Sequence, residues 1–472
     1  MDRGARNMTN AQGTARRTTV IAMVTIVLLV LGGCALLDRP LVRGDGLAYF
    51  MWLDSLARDA DLDLANQAAK FAHLNTYQVF VYDKTGRAAS VFAFGNALML
   101  VPFYWLGMLA DKLPACHIND AYFVQQQGAT FAYSFFPMLG TNLYALGAVL
   151  LAFFAARRIS STLVSLLAAL ALFFGTPMWY YSTVEPLNAH VCGAFALCLL
   201  LYLFVRWCLA PDPVAPKHEQ WLWLAMGLAA GLATLVRWQL ALCLLPLALV
   251  LLWQKQPRLL VPLALGFVAV AWLVPYSWWR MFGSPWVIPA AEQNRAAFLV
   301  WPTHLWQVLF SGKKGLFVWA PATVLAVLGW ITLAGKQRML SATLAAMFVL
   351  QVLMNASVYD WWAGWGFGMR RMIELYPAFV MGLASLLSAA FVPGALRRAC
   401  QLMISLLTAV SVGFAVLLLF SHLNFVNTVL DQPEGDTALR EIQYQLRQSS
   451  FLITWLVMKD HYGPWAWPKP GP

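Results

Sequence analysis

Apolar runs recur along this chain from residue 18 to residue 421, parted by short polar links. Eleven are read as helices that cross a bilayer: 18–37, 129–155, 161–175, 189–209, 221–236, 238–253, 258–277, 315–335, 338–356, 374–392 and 399–421. Windows near twenty residues fit helices spanning about 30 Å of hydrocarbon. The runs at 161–175 and 221–236 are short and borrow flanking Trp and Tyr. The pattern predicts an all-α polytopic membrane protein with about eleven transmembrane helices.

The polar stretches divide the chain into a cytoplasmic tail at 1–17, a transmembrane domain at 18–421 and an external tail at 422–472. The first external loop, 38–128, opens with "RGDGLAYFMWLDSLARDADLDLANQ". There Leu47, Phe50, Met51 and Leu53 mix with Asp45, Asp54 and Arg58 at helical spacing, which predicts an interfacial helix. The segment Ser90–Ala110 is apolar enough to span but contains Pro102 and two glycines. Counting it as a span would move the basic links to the wrong side. It is therefore read as a helix dipping into the outer interface. In the tail, "DTALREIQYQLRQ" is a polar helix candidate packed on the outer surface.

Charge orients this layout. The chain of 472 residues is 61% hydrophobic and 11% charged, far from a soluble domain. Lys and Arg recur in alternate links (Arg157, Arg158, Lys217, Lys255, Arg258, Lys336, Arg338, Arg397 and Arg398), which places those links and the N-terminus inside. The formal charge of +11 then reflects loops facing lipid headgroups, and no zinc-finger spacing or basic arm points to nucleic acid. The seven cysteines lie mostly in apolar segments without a CxxC and read as core residues. "LGGC", ending at Cys34, loosely resembles a lipoprotein cleavage box, but the polytopic remainder favours an uncleaved signal anchor.

The unusual residues gather in the stretches left outside. Asp45 stands between two glycines at the mouth of the first span, where the freed backbone lets a bulky substrate approach the carboxylate. Asp59, Asp61 and Asp63 alternate in "DADLD" and form either a metal-ligand loop or solvated surface. Glu185 and His190 precede a span in "STVEPLNAH"; they are an acid/base pair or, for Glu185, a carboxylate complementing a helix dipole. Arg237 lies between two apolar runs, where it snorkels or binds a lipid phosphate. Lys313 and Lys314, beside glycines at a helix entrance, suit a phosphate. Arg370 and Arg371 sit outside against the positive-inside trend, which asks for an anionic substrate or acidic partners. Trp278, Trp279, Trp286, Trp301, Trp306, Trp361, Trp362 and Trp365 form an interfacial belt or stacking platforms for a sugar or isoprenoid.

Carboxylates suit removing a hydroxyl proton, and cations suit a phosphate that gains charge on leaving. No Walker loop or dinucleotide fingerprint is present, so a phosphate substrate on this face is most simply a membrane lipid phosphate. A transporter or lipid flippase is the rival reading, but no internal repeat supports it.

Several stretches, in order, resemble the GT-C superfamily of polytopic glycosyltransferases, which includes protein O-mannosyltransferases, aminoarabinose transferases and oligosaccharyltransferases. They are "RGDGLAYFMWLDSLARDADLDLAN", "FAFGNALMLVPFYWLG", "FFGTPMWYYSTVEPLNAH", "GLAAGLATLVRWQ", "VLFSGKKGLFVWAP" and "WWAGWGFGMRRMIELYPAFVMGLASLL". The resemblance implies inverting transfer of a sugar from a polyprenyl-phosphate carrier to a glycan, lipid or protein acceptor on the external face. It implies that Asp45 matches the acidic residue of the first loop, as base or acceptor-orienting group, and that Arg237 and Arg370 lie near the donor phosphate. Some members need a divalent ion such as Mg or Mn. The His-Pro-Pro or Lys-Pro-Pro signature of several subfamilies is absent; "FAFGN" stands in its place.

Overall fold

In the computed structural model, residues 2–74, 78–210, 215–293, 301–364, 366–390 and 395–425 are described. The expected tail helix at 436–448 therefore lies outside the described residues, as do Trp365 and the side chain of Arg397. The described chain is helical except for one two-stranded hairpin. Among the described residues, eight helices are long and apolar enough to cross a membrane: Gly13–Leu37, Phe131–Ala156, His190–Cys208, Pro216–Val236, Pro257–Phe282, Arg338–Ala356, Arg370–Ala389 and Arg398–Leu423. Three shorter apolar helices, Thr162–Phe174, Trp238–Trp253 and Ala322–Ala334, fall on the remaining predicted runs. Thr162–Phe174 ends early because Gly175 and Pro177 interrupt it, and the chain resumes as a helix at Met178–Thr183.

Arg258 reaches Glu219 at 3.6 Å and Gln254 lies against Met339, so these links share one end of the bundle. Arg237, at the far end of the helix that Glu219 begins, meets His190 at the opposite end. Helix Gly95–Ala110 lies beside that second end. Tyr144 Oη donates to the Met99 carbonyl at 2.9 Å, Asn96 to the Leu187 carbonyl at 2.7 Å, and Thr130 to Asp111 at 2.6 Å. Its first turn is thus tied to Leu187 and Tyr144, and its end to Thr130.

Small residues let the helices approach closely, as membrane packing requires where no water drives association. A Cβ on Gly329 would fall 1.8 Å from the Gly382 carbonyl oxygen, and one on Gly382 would fall 2.1 Å from that of Ala326. This contact joins Ala322–Ala334 to Tyr376–Ala390, the helix that continues directly from Arg370–Leu375. Gly329→Val is expected to force these helices apart and destabilise the protein by about 1–3 kcal/mol. Thermal unfolding in detergent reads this directly; an unchanged melting temperature would contradict the packing.

The helix Asp45–Asp54 differs from its expectation. The pattern gave it one polar and one apolar face, yet every residue from Gly46 to Asp54 is buried. Its polar positions turn inward onto partners. Asp54 accepts from Arg58 at 2.9 Å, from Lys70 at 3.0 Å and from the Tyr104 hydroxyl, which pins this helix to Gly95–Ala110. Trp52 Nε1 donates to the Phe92 carbonyl at 3.1 Å on another side.

Candidate functional site: a charge-paired cavity

The chain reaches the site first through Gly44. Its φ of 52° and ψ of −128° are open to glycine, and the turn lets Asp45 begin a helix immediately. Gly46 plays no comparable part, since a Cβ there would meet Leu187 at an ordinary 3.6 Å. The hairpin supplies the first partner of Asp45. Strand β1 (Val79–Tyr82) pairs antiparallel with β2 (Arg87–Ser90). Thr85 and Arg87 anchor it by donating to the carbonyls of Met281 and Arg280, at 2.8 and 2.6 Å. Gln78, just ahead of β1, then donates to Asp45 Oδ1 at 2.6 Å.

The second partner comes from 325 residues away. Arg370 Nη2 donates to Asp45 Oδ2 at 2.5 Å. Burial alone would raise the Asp45 pKa; the Arg370 guanidinium and the Gln78 hydrogen bond outweigh it, leaving the carboxyl below its usual range. Arg370 opens a tight turn after a loop that two features hold in place. Lys314 Nζ donates to the carbonyls of Gly364 and Gly366, and Gly366 is pressed so near the Tyr181 hydroxyl that a Cβ would fall 2.1 Å from it.

Two more arginine–carboxylate pairs stand nearby. Arg371 grips Asp360 with two contacts from Nη2, at 2.9 and 3.0 Å, and donates through Nη1 to the Asp360 carbonyl at 3.1 Å. Arg237, in extended backbone where the helix Pro216–Val236 breaks, pairs through Nε with Glu374 Oε1 at 2.9 Å. His190 Nδ1 meets the same oxygen at 2.9 Å, while Glu374 Oε2 is buried without a hydrogen-bond partner.

These groups surround a cavity of about 230 Å³. Asp45, Gln78, His190, Arg237, Asp360, Arg370 and Arg371 line it, with Tyr49, Asn188, Trp238, Gln239 and Asn355 among the neighbours. Of the residues singled out in the sequence, Asp45, His190, Arg237, Arg370 and Arg371 therefore meet at one wall. The others lie elsewhere. Glu185 sits behind the wall, where its carboxylate accepts from Tyr180 at 3.0 Å and Asn188 at 2.7 Å. Burial, aided by the charge of Asp45, raises its pKa against the pull of Arg370. Lys314 is spent on the loop carbonyls, and Lys313 lies over the Trp362 ring at 3.9 Å. None of the eight tryptophans singled out lines the cavity among the described residues; Trp286, Trp301 and Trp306 are exposed.

Asp59, Asp61 and Asp63 fold their own loop. Asp59 accepts from Asn66 and Gln67, both at 2.7 Å; Asp61 from Ser55 and the Asp63 amide; Asp63 from the Ala65 amide. These are short-range side-chain turns.

Among residues not singled out beforehand, Gln78, Asp360 and Glu374 complete the site. Glu374 carried a usable signal: an acidic residue inside the start of an apolar run asks for an internal partner.

The polytopic helical fold is shared with solved structures of other membrane proteins. Among solved structures, the chain is similar to the apo Archaeoglobus fulgidus oligosaccharyltransferase, at 13% identity and TM-score 0.51, covering 90% of this chain and 59% of that one. It is similar to AglB from the same organism in complex with an inhibitory peptide and a dolichol-phosphate, at 12% identity and TM-score 0.50 over the same shares. ArnT from Cupriavidus metallidurans bound to undecaprenyl phosphate aligns over 93% of this chain and 73% of its own, at 14% identity and TM-score 0.49. The chain thus spans about three fifths of the oligosaccharyltransferase. No family model and no curated protein matches the sequence.

Proposed function

We propose that this protein is an inverting glycosyltransferase. It would move a sugar from a polyprenyl-phosphate carrier to an acceptor hydroxyl on the external face of a bacterial inner membrane, with its N-terminus in the cytoplasm. The observation that carries this reading is the Asp45–Arg370 pair on the cavity wall of a GT-C fold. The pair offers a base and a phosphate ligand at one cavity, the two kinds of group the transfer uses. The dolichol-phosphate held by AglB supports a lipid phosphate as the carrier.

The acceptor oxygen attacks the anomeric carbon from the side opposite the phosphate, so configuration inverts. The new C–O bond forms as the bond from that carbon to the carrier phosphate oxygen breaks. The hydroxyl proton passes to Asp45, and the carrier leaves as a phosphate monoester. Arg370, with Arg237 and Arg371 on the same wall, stabilises the charge that grows on the leaving phosphate. His190 and Glu374 orient Arg237, and Glu185 backs the wall through Tyr180 and Asn188. Lys313 and Lys314 act one step away by holding the loop that presents Arg370.

The described donors fit a divalent ion such as Mg or Mn poorly. Each cavity carboxylate faces a guanidinium, Asp59, Asp61 and Asp63 bond within their own loop, and no three His, Cys, Asp or Glu side chains gather among the described residues. The proposed steps run through side chains.

The experiment compares glycan, lipid A and polyprenyl-linked sugar profiles, by mass spectrometry, in cells with and without the gene. Loss of one sugar from a glycoconjugate, with its lipid-linked form accumulating, is expected. Unchanged glycoconjugates with altered solute uptake would favour a transporter instead.

A further inference from the structure

Each arginine on the cavity wall is already paired with a carboxylate, at 2.5 to 2.9 Å. An incoming phosphate must therefore share or displace one of these pairs. The three are not equally exchangeable. Arg371 holds Asp360 by two contacts to the carboxylate and one to its carbonyl, all within one loop. Arg237 holds Glu374 together with His190, and Glu374 is 2% exposed and away from the wall. Arg370 holds Asp45 through a single nitrogen, and both side chains face the cavity.

We propose that Asp45 is a stand-in for the carrier phosphate: it occupies Arg370 until the donor arrives, and the phosphate takes the guanidinium from it. This inference rests on the glycosyltransferase reading and adds an order of events to it. The exchange leaves neither partner stranded. Arg370 passes from one singly charged anion to another, the phosphodiester, whose two non-bridging oxygens a planar fork binds through two parallel contacts. Asp45 keeps its bond from Gln78 Nε2 on the other oxygen. The oxygen that faced Arg370 is then free to accept a proton. A carboxylate held against a guanidinium is a weak base, because the cation favours its ionised form. Release removes that restraint at the moment the sugar is in place. The donor must bind before the acceptor is deprotonated, and the empty site does not activate water or a stray hydroxyl. Gln78 becomes the positioning residue for Asp45 in the second state, which explains why the hairpin is anchored so firmly on Met281 and Arg280.

The test is the affinity of purified protein in detergent for undecaprenyl phosphate, without sugar, for the wild type and Asp45→Asn. If Asp45 competes for Arg370, Asn should bind the lipid about tenfold tighter, the worth of one charge-assisted hydrogen bond. Asp360→Asn serves as the comparison and should change affinity much less, because Arg371 is not the guanidinium surrendered. Equal or weaker binding by an Asp45→Asn protein that elutes and melts like wild type would overturn the proposal. Should that variant fail to fold, a cryo-EM structure of the wild type with undecaprenyl phosphate decides. Arg370 on the phosphate and parted from Asp45 is expected; an intact pair beside a phosphate bound elsewhere refutes the exchange. Failure here is separable from failure of the wider reading: an Asp45→Asn protein that still transfers sugar would remove Asp45 as the base, whatever its lipid affinity.

Discussion

Asp45→Asn is expected to reduce sugar transfer from a polyprenyl-phosphate donor by about 10²–10⁴-fold, the usual worth of a positioned general base. The substitution is nearly isosteric. Asn keeps one acceptor oxygen for Gln78 or Arg370 but has no basic site for the acceptor proton. The assay is single-turnover transfer at saturating donor, so that tighter or weaker lipid binding does not mask the chemical step. Full activity would assign Asp45 to structure alone. The wild-type pH profile provides a second reading. Because the pKa of Asp45 lies below its usual range, the free enzyme should hold its base ionised as pH falls through the range where ordinary carboxylates protonate, about pH 4. The sign for stability follows. A depressed pKa contributes stability above the unfolded-state value, and that contribution is lost as pH falls through the folded-state value.

Much of this architecture was legible in the chain because its chief constraint is local. A helix that crosses lipid must satisfy its own backbone and carry apolar side chains for its whole length, and both leave a mark in sequence. The eleven runs therefore appear as eight long and three shorter helices. What was not legible is set by contacts between distant segments. Asp54 reads as the polar face of a surface helix, but its partners Lys70 and Tyr104 stand 16 and 50 residues away and turn it inward. Lys314 beside two glycines resembles a phosphate loop; the cations of such loops and the anchors of tight turns look alike until the Gly364 and Gly366 carbonyls are placed. Gln78 carries no sequence signal at all, since an amide before a strand is ordinary. Asp45, His190, Arg237, Arg370 and Arg371 were visible because each is an ionisable group where a membrane chain makes charge costly.

The charge arrangement also limits what the cavity can hold at rest. Each of the three guanidinium groups that line the cavity is paired with a carboxylate, two on the wall and Glu374 behind it, so the wall is highly polar without being strongly cationic. Such a surface does not attract anions at long range as an unpaired basic cleft would. It discriminates at contact, since a ligand must replace a carboxylate's hydrogen bonds in geometry as well as in charge. A lipid phosphate, delivered by diffusion within the membrane, needs no long-range steering to arrive.

The same pairing makes Arg370 the most costly position to change. Arg370→Met is expected to lower kcat/KM by about 10²–10³-fold, through loss of charge stabilisation on the leaving phosphate. It should also destabilise the protein by about 3 kcal/mol, because Asp45 is left buried with Gln78 as its remaining donor. These two effects separate in the double variant Arg370→Met with Asp45→Asn. Removing the stranded charge should restore most of the lost melting temperature while activity stays absent. Arg370→Lys gives a third point. It keeps a cation for Asp45 and hence near-normal stability, but it lacks the planar fork that binds a phosphate through two contacts. Transfer should therefore stay well below wild type in a protein that melts normally. If Arg370→Lys were fully active, charge alone would suffice at this position, and the fork geometry would carry no part of the phosphate recognition. If the double variant melted no higher than Arg370→Met, the stability of the site would rest on the packing of the Arg370 stem against Gly366 and Tyr181 rather than on its pair with Asp45.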